Sequence, residues 1–554
     1  MDAKPLRLLR NLGRSREIAR VLMRYGFEDV VERLHLGRYV QWGRRVIFRR
    51  REPDLLRTRA MRIRLALESL GPTFIKFGQV ASTRPDLLPP DVIDELSHLQ
   101  EKVPSFPSRI AVQILERELG APLEQLFASF DRLPIAAGSL AQVHRAEHLD
   151  GTPLAVKIRR PNVVRDVERD LSLMVELAHL IERHIPEAEI FDPVGLVGQF
   201  SRTIRRELNF LREGRTCDEF RRLFRNDATL YVPRVYGELC TEAVLTMEFV
   251  EGYRVDQTEE MTAAGICTHS VAANGARIFM KQAFGLGLFH GDPHPGNIRI
   301  LQDGSVCLLD FGMVGLLEDD KRDRLVDLFL AIARQDVRRV VTLVKSLGQP
   351  SRPLDEPLLR ADTREFIETY YGVPLEKLKV GNMLSDFVGV LSHHGIRCPP
   401  DLMLLIRALV TLEGTGRDLD PQFNLAQYLA PFVEECVKDR FNPKRIKEKV
   451  WSETQTLLEL AHEMPVHVAR TIEKLSQDEL KVQFEHRGLD RLIHGMDKVS
   501  NRLVIGLVMS SLIVASALII QAGPEYRWVS LPVFVLSSLL GLWLIYGVFR
   551  SGSL

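Results

Sequence analysis

The chain has 554 residues, enough for several domains, and its 74 basic side chains balance 73 acidic ones, a balance that argues against a nucleic-acid partner. Its six cysteines, Cys217, Cys240, Cys267, Cys307, Cys398 and Cys436, show no CxxC spacing and read as reduced, mostly buried thiols of a cytosolic compartment. No short apolar run precedes a small-residue cleavage site at the N-terminus, which argues against a secretory signal, and Asp2 with Glu28-Asp29 argues against a mitochondrial presequence.

Residues 1–60 carry 16 Lys and Arg against 7 Asp and Glu, a surplus of 9 that suits anionic lipid head groups or an ordinary solvated helical face. Apolar residues recur at three and four through residues 5–70, giving helices broken around Gly37 and the run Arg44–Arg51. Gly71-Pro72 restarts a helix that carries Lys76, Gly78 and Gln79. Lys76 and Gln79 share a face, and Gly78 admits a close backbone approach. A Pro-rich link then leads to a helix capped by Asp91.

From Pro134 the pattern turns to strands around the small residues Ala136, Ala137, Gly138 and Ser139, continues through Val143, and resumes at Leu154-Ala155-Val156-Lys157-Ile158. A loop of tiny residues leaves backbone N–H groups for phosphate oxygens, and a lysine on the next strand reaches the α- and β-phosphates of a nucleotide such as ATP. Residues 163–225 read as long amphipathic helices, the second running through Arg205–Glu213. A kinase pairs its strand lysine with a helical glutamate; Glu213 is the candidate here and Glu207 the alternative. The strand Ala243–Val250 ends like a kinase hinge, whose main chain at Glu248 to Val250 would meet the adenine edge.

The chemistry concentrates in His290-Gly291-Asp292-Pro293-His294-Pro295-Gly296-Asn297, followed by Leu308-Leu309-Asp310-Phe311-Gly312. A protein-kinase site needs an Asp near the attacking hydroxyl, an Asn holding one metal and the Asp of Asp-Phe-Gly holding the metals on the ATP phosphates. Asp292 and Asn297 stand five apart, as in the kinase loop, and a hairpin turning at Asp303-Gly304 returns Asp310 beside Asn297. Two oxygen ligands then converge on a hard cation such as Mg²⁺. Helix resumes at 319–334, and residues 335–490 are helical without a catalytic cluster; His393, His394 and His486 read as structural or solvent-facing.

Two apolar stretches close the chain, Leu503–Ile520 with eighteen residues free of charge, about 27 Å as a helix, and Val529–Phe549 with twenty-one. Gly523-Pro524 lies between them, so they read as a membrane hairpin. Lys498, Arg502 and Arg550 place both ends and the catalytic domain in the cytoplasm, and Trp528 and Trp543 suit the interfaces. Gly506, Ser510 and Ser511 would face Ser537, Ser538 and Gly541 for close packing.

The run His-Gly-Asp-x-His-Pro-Gly-Asn, with Lys76-Phe77-Gly78-Gln79 and the following Ser-Thr-Arg-Pro-Asp-Leu-Leu-Pro, resembles the UbiB family of atypical kinase-like proteins from about Arg7 to Arg550. The resemblance implies an α+β, two-lobed kinase-like fold. Its expected parts are an N-terminal helical extension (1–110), an ATP-binding core (111–330), a helical C-terminal region (331–498) and a two-helix transmembrane hairpin (499–554). It further implies a bacterial inner-membrane ATPase that supports ubiquinone biosynthesis, with membrane lipid or a quinone precursor and other enzymes of that pathway as partners. Carried over, Lys76 and Gln79 occlude the site, Ala136 to Ser139 form the Ala-rich loop, Lys157 pairs with Glu213, Asn297 and Asp310 hold the metal, and Asp292 takes the place of the kinase base. Two positions depart from the family pattern: Asn209 replaces an acidic residue expected near the Lys-x-Gly-Gln helix, and Gly138 replaces an alanine. A true kinase and a nucleotide-binding scaffold stand as alternative readings.

Overall fold

The computed structural model describes residues 12–34, 58–85, 87–99, 104–185, 188, 191–351, 353–371, 373, 378–440, 489–522, 528, 531–539 and 541. The chain parts into two units, Met1–Ile446 and Lys447–Leu554.

The first unit opens with helices α1 (Leu12–Arg24), α2 (Glu28–Arg33), α3 (Arg59–Leu70), α4 (Pro72–Ala81) and α5 (Pro90–Ser97). Gly37, Arg44–Arg51 and the link residue Asp86 lie outside the described residues. Gly71, at φ +95°, ends α3 and turns the chain, and Pro72 at the first position of α4 loses no hydrogen bond there. A Cβ on Gly78 would collide with Leu99 and lie 2.9 Å from Leu67, so this glycine admits leucine side chains rather than the expected backbone. The extension docks through Phe74 and through Phe77, which meets Phe200 edge-on at 5.4 Å.

Helix α6 (Ser108–Leu119) lays Ala111, Ile114 and Leu115 on the sheet that follows. That sheet is antiparallel in the order β1 (Ser129–Ala137), β2 (Ala141–Glu147), β3 (Pro153–Arg159), β5 (Val244–Glu248). Leu154, Val156 and Ile158 of β3 are buried under α6, and strand alternation turns Lys157 to the opposite face. The helices that follow are α7 (Val163–His184), α8 (Pro193–Glu207) and α9 (Phe210–Leu223). The helix expected to run unbroken through Arg205–Glu213 stops at Leu208, because Asn209 turns extended and caps α9 by accepting the Arg212 N–H at 3.2 Å.

Below the sheet, β4 (Leu230–Tyr231) pairs with β8 (Val306–Leu308), which pairs with β7 (Ile298–Ile300), while β6 (Leu288–His290) pairs with β9 (Val314–Leu316). The β7–β8 hairpin turns at Gly304, φ +81°, as the Asp303-Gly304 pair predicts. Helix α10 (Thr268–Met280) runs directly into a π-helical turn, Lys281–Leu286, before β6. Helices α11 (Asp319–Ala333), α12 (Val337–Leu347), α13 (Glu356–Tyr370), α14 (Val380–His393), α15 (Pro400–Leu419) and α16 (Leu425–Arg440) complete the unit around one apolar core. His394 is buried against Asp362 at 2.9 Å, a structural pair, and His486 lies outside the described residues.

In the second unit the charge-free stretch Leu503–Ile520 lies inside one helix, α17 (Leu489–Ala522), and residues 531–539 are helical. Among the described residues no helix is long and apolar enough to cross a membrane; most of the second expected span, with the Gly523-Pro524 turn, lies outside them. A Cβ on Gly541 would sit 3.5 Å from Met509, an ordinary contact, and Gly506 faces open space.

Candidate active site

Lys157 lies between two carboxylates. Its Nζ donates to Glu213 Oε1 at 2.8 Å and Oε2 at 2.9 Å, and lies 3.7 Å from Asp310 Oδ2. The helical partner is therefore Glu213 and not Glu207. Glu207 takes Lys76 instead, at 3.1 Å, which brings the extension to the edge of the same charge cluster. Burial works against the Lys157 ammonium, but Asp310 and Glu213 outweigh it and hold its pKa above the ordinary lysine value. Burial pushes Glu213 up to about 7 against the pull of Lys157, with Asp310 adding to the rise. Burial would raise Asp310 too, yet Lys157, the Gly312 N–H, His290 and Lys76 hold it at about 2. Two carboxylates share one ammonium, a deficit of positive charge that a divalent cation would fill.

The loop from His290 to Asn297 is set by its backbone. Gly291 N–H donates to Met313 O at 2.8 Å, and Leu309 N–H donates to Asn297 O at 2.9 Å, which fixes Asn297 next to Asp310. Buried His290 bonds the Asp310 carbonyl through Nε2, accepts the Asp292 N–H at Nδ1 and donates its own backbone N–H to Gln282 Oε1 at 3.1 Å. Asn297 Nδ2 donates to Asp292 O at 3.3 Å, leaving the amide oxygen for a cation. Asp310 Oδ1 accepts the Gly312 N–H at 2.8 Å. Among the described residues no group of three His, Cys, Asp or Glu side chains is poised to hold a metal. The donor set still fits Mg²⁺, which takes one or two protein oxygens and completes its shell with phosphate and water.

Other expected residues lie differently. Gln79 donates its amide to Leu99 O at 3.0 Å, a contact within the extension. Ala136 and Ala137 belong to β1, paired with Val143 and Gln142, and the Gly138 N–H is spent on Ala141 O at 2.8 Å. Arg160 Nε donates to the Gly138 carbonyl at 2.8 Å. Val143 stands opposite Lys157 in the sheet. The Glu248 carboxylate accepts from Tyr231 at 2.6 Å and from Arg234 N–H at 3.2 Å, and its own N–H goes to Arg234 O. Among the described residues Val250 makes no backbone hydrogen bond, which leaves its main chain for an adenine edge. Asn209 caps α9 and reaches Glu242 at 3.3 Å rather than the Lys-Phe-Gly-Gln helix; an asparagine serves there because the position needs a capping oxygen and not a charge.

Arg407 escaped the sequence reading, and its Nη2 lies 3.4 Å from Asp292 Oδ1. The signal was present: it is the one charge between Asp401 and Glu413, in a run otherwise apolar but for Thr411.

The model of the ABC1 atypical kinase-like domain matches residues 98–344, that of the UbiB helical domain residues 363–424, and that of the ABC1/UbiB kinase-like C-terminal domain residues 487–550. The "Probable protein kinase UbiB" of Xanthomonas campestris pv. campestris (strain B100) is 33% identical over 530 residues, covering 93% of this chain and 95% of that one. The chain belongs to the UbiB family. Its counterpart from Xanthomonas oryzae pv. oryzae (strain MAFF 311018) is 33% identical over 525 residues, 92% and 94% of the two chains. The solved complex of Rv3197 with erythromycin from Mycobacterium tuberculosis shares 22% identity at a TM-score of 0.45, covering 57% of this chain and 80% of that one. In this UbiB-family chain the glycine of His-Gly-Asp has a steric reason: a Cβ on Gly291 would lie 2.9 Å from both terminal methyls of Leu404 on α15.

Proposed function

We propose that the chain is a membrane-anchored, kinase-like ATPase that supports ubiquinone biosynthesis, binding MgATP between its lobes with helix α4 at the mouth of the cleft. The observation that carries it is Lys157 held by Glu213 and 3.7 Å from Asp310, the arrangement that delivers an ammonium and a metal ligand to the same phosphates. Asn297 and Asp310 would hold Mg²⁺, which supplies charge neutralisation on the β- and γ-phosphates when bound. Lys157 orients the α- and β-phosphates, Val250 offers main-chain groups to the base, and Asp292 receives the proton of the nucleophile.

The anchor is supported by the exposed apolar side chains of the second unit: Leu503, Leu507 and Leu518 are each over 60% exposed, and Trp528 is 78% exposed. A surface of that kind needs lipid or protein to cover it, and a charge-free stretch of eighteen residues favours lipid. The Xanthomonas relatives are named probable protein kinases, which favours kinase chemistry, and the bonding of Gln79 to Leu99 eases the approach of an acceptor, so transfer to a hydroxyl stands as the second reading.

The test is turnover by the full-length protein. The wild type should hydrolyse MgATP slowly, faster with quinone-precursor lipid or anionic vesicles, and leave added protein unphosphorylated. Lys76→Ala, which frees Glu207, should expose self-phosphorylation. Ready phosphorylation of generic proteins by the wild type, unchanged in Lys76→Ala, would establish the kinase reading instead. Asp310→Asn should abolish the thermal stabilisation given by MgATP; full stabilisation in that variant would remove Asp310 from the metal site.

A further inference from the structure

We propose that Arg407 is a positioning residue for Asp292 and thereby makes helix α15 part of the phosphoryl-transfer site, an inference that rests on the function proposed above. Helix α15 meets the catalytic loop at three successive residues. Leu404 packs against Gly291, Arg407 Nη2 lies 3.4 Å from Asp292 Oδ1, and Thr415 Oγ1 lies 3.5 Å from Pro293 O. Around Arg407 the helix buries Leu402, Met403, Leu405, Ile406, Ala408 and Leu409, and the guanidinium itself is half-buried beside the half-buried Asp292 carboxylate.

The main chain of Asp292 is already fixed, its N–H on His290 Nδ1 at 3.2 Å and its carbonyl accepting from Asn297 and from the His294 N–H. What the backbone leaves free is rotation of the carboxylate. Among the described residues Arg407 is the one ion-pair partner of that carboxylate. A cation on Oδ1 removes the rotation and turns Oδ2 toward the nucleophile. As the nucleophile's oxygen bonds to the γ-phosphorus, its proton passes to Oδ2, and the bond from that phosphorus to the bridging oxygen breaks with ADP keeping the electron pair.

A carboxylate aimed this way matters to the chemical step and not to nucleotide binding. The full-length protein in detergent, as wild type, Arg407→Gln, Arg407→Lys, Asp292→Asn and the Arg407→Gln/Asp292→Asn double variant, separates the two. Arg407→Gln should lower kcat for MgATP roughly 10- to 100-fold, while KM and the thermal shift given by MgADP stay within about twofold. Arg407→Lys should recover part of kcat, and the double variant should be no slower than Asp292→Asn alone. An unchanged kcat, losses that multiply in the double variant, or a lost MgADP shift in Arg407→Gln would each overturn the inference. If Arg407→Gln does not fold, a folded Arg407→Met with wild-type kcat overturns it equally. A wild type that binds MgATP without turning it over ends the proposed function and this inference together, whereas a wild type that turns it over beside an unaffected Arg407→Gln ends this inference alone.

Discussion

The catalytic loop (residues 290–297) and helix α4 bring charged groups toward the same cleft by different means. The loop is tied by main-chain bonds, Gly291 to Met313 and Asn297 to Leu309, around a buried His290. Helix α4 and its neighbours are tied by side chains. Lys76 reaches Glu207, Arg84 reaches Gln199, and Arg14 of α1 grips Asp170 through two nitrogens at 3.0 and 2.9 Å while donating to Leu70 O at 2.6 Å. Arg14 also lies 5.5 Å from the centre of the Phe74 ring. A region held by backbone keeps its geometry through most single substitutions, whereas one held by side chains is released by one. The loop is therefore the fixed half of the cleft, and the helix is the half that a single side-chain exchange can release.

The largest effect falls on the fixed half. Lys157→Met leaves Glu213 and Asp310 facing each other without a cation, and should cost about 3–5 kcal/mol of unfolding free energy in denaturant titration as well as the MgATP thermal shift. Adding Glu213→Gln should restore stability but not binding. Next comes Gly291→Ala, whose Cβ meets the flexible ends of Leu404 at 2.9 Å: about 1–3 kcal/mol lost, partly regained with Leu404→Ala. If Gly291→Ala is neutral, the loop yields more than its backbone bonds suggest.

On the movable half, Arg14→Gln leaves the buried Asp170 carboxylate without its forked partner, at about 1–3 kcal/mol. Amide exchange should quicken through residues 59–81 while the MgADP shift persists and ATP turnover rises. Unchanged turnover would mean that the helix does not limit the reaction. The smallest effect belongs to neither half. His269 Nδ1 meets Asp420 Oδ2 at 2.6 Å, a hydrogen bond that raises the histidine pKa above 6.5. The stabilisation is full below that value and lost as pH rises through the folded-state pKa, and exposure limits it to about 0.5 kcal/mol. A pH series of melting temperatures for Asp420→Asn should show the dependence removed and turnover unaltered.

The fixed half was also the legible half. Asp292, Asn297 and Asp310 lie within nineteen residues of one another and a short hairpin carries the chain from Asn297 back to Asp310, so local spacing carried the geometry. Glu213 was legible as a candidate because a helical carboxylate was required; that Glu207 answers Lys76 instead depended on the break at Asn209, which reads in sequence as one more polar residue of a charged helix. Gln79 and Gly78 were misjudged for a shared reason. Their partners Leu99 and Leu67 come from neighbouring helices, and the motif does not encode which way its helix rolls. Arg407 lies 115 positions from Asp292, beyond any local pattern.

The π-helical turn Lys281–Leu286 governs how this chain tolerates insertion and deletion. Gln282 within it is almost fully buried and accepts the His290 N–H, so the wide turn sets which side chain arrives beneath the catalytic strand. Removing one residue there would restore an ordinary α-helical turn and rotate the preceding α10 by about 100° relative to β6, since each helical residue advances by that angle. The apolar face of α10, with Ala272, Ala276 and Phe279, would then leave the core. Between Thr268 and His290 the number of residues is thus under tighter control than their identity: an exchange such as Phe284→Leu alters packing by a few atoms, while a single-codon deletion would dismantle the floor of the cleft.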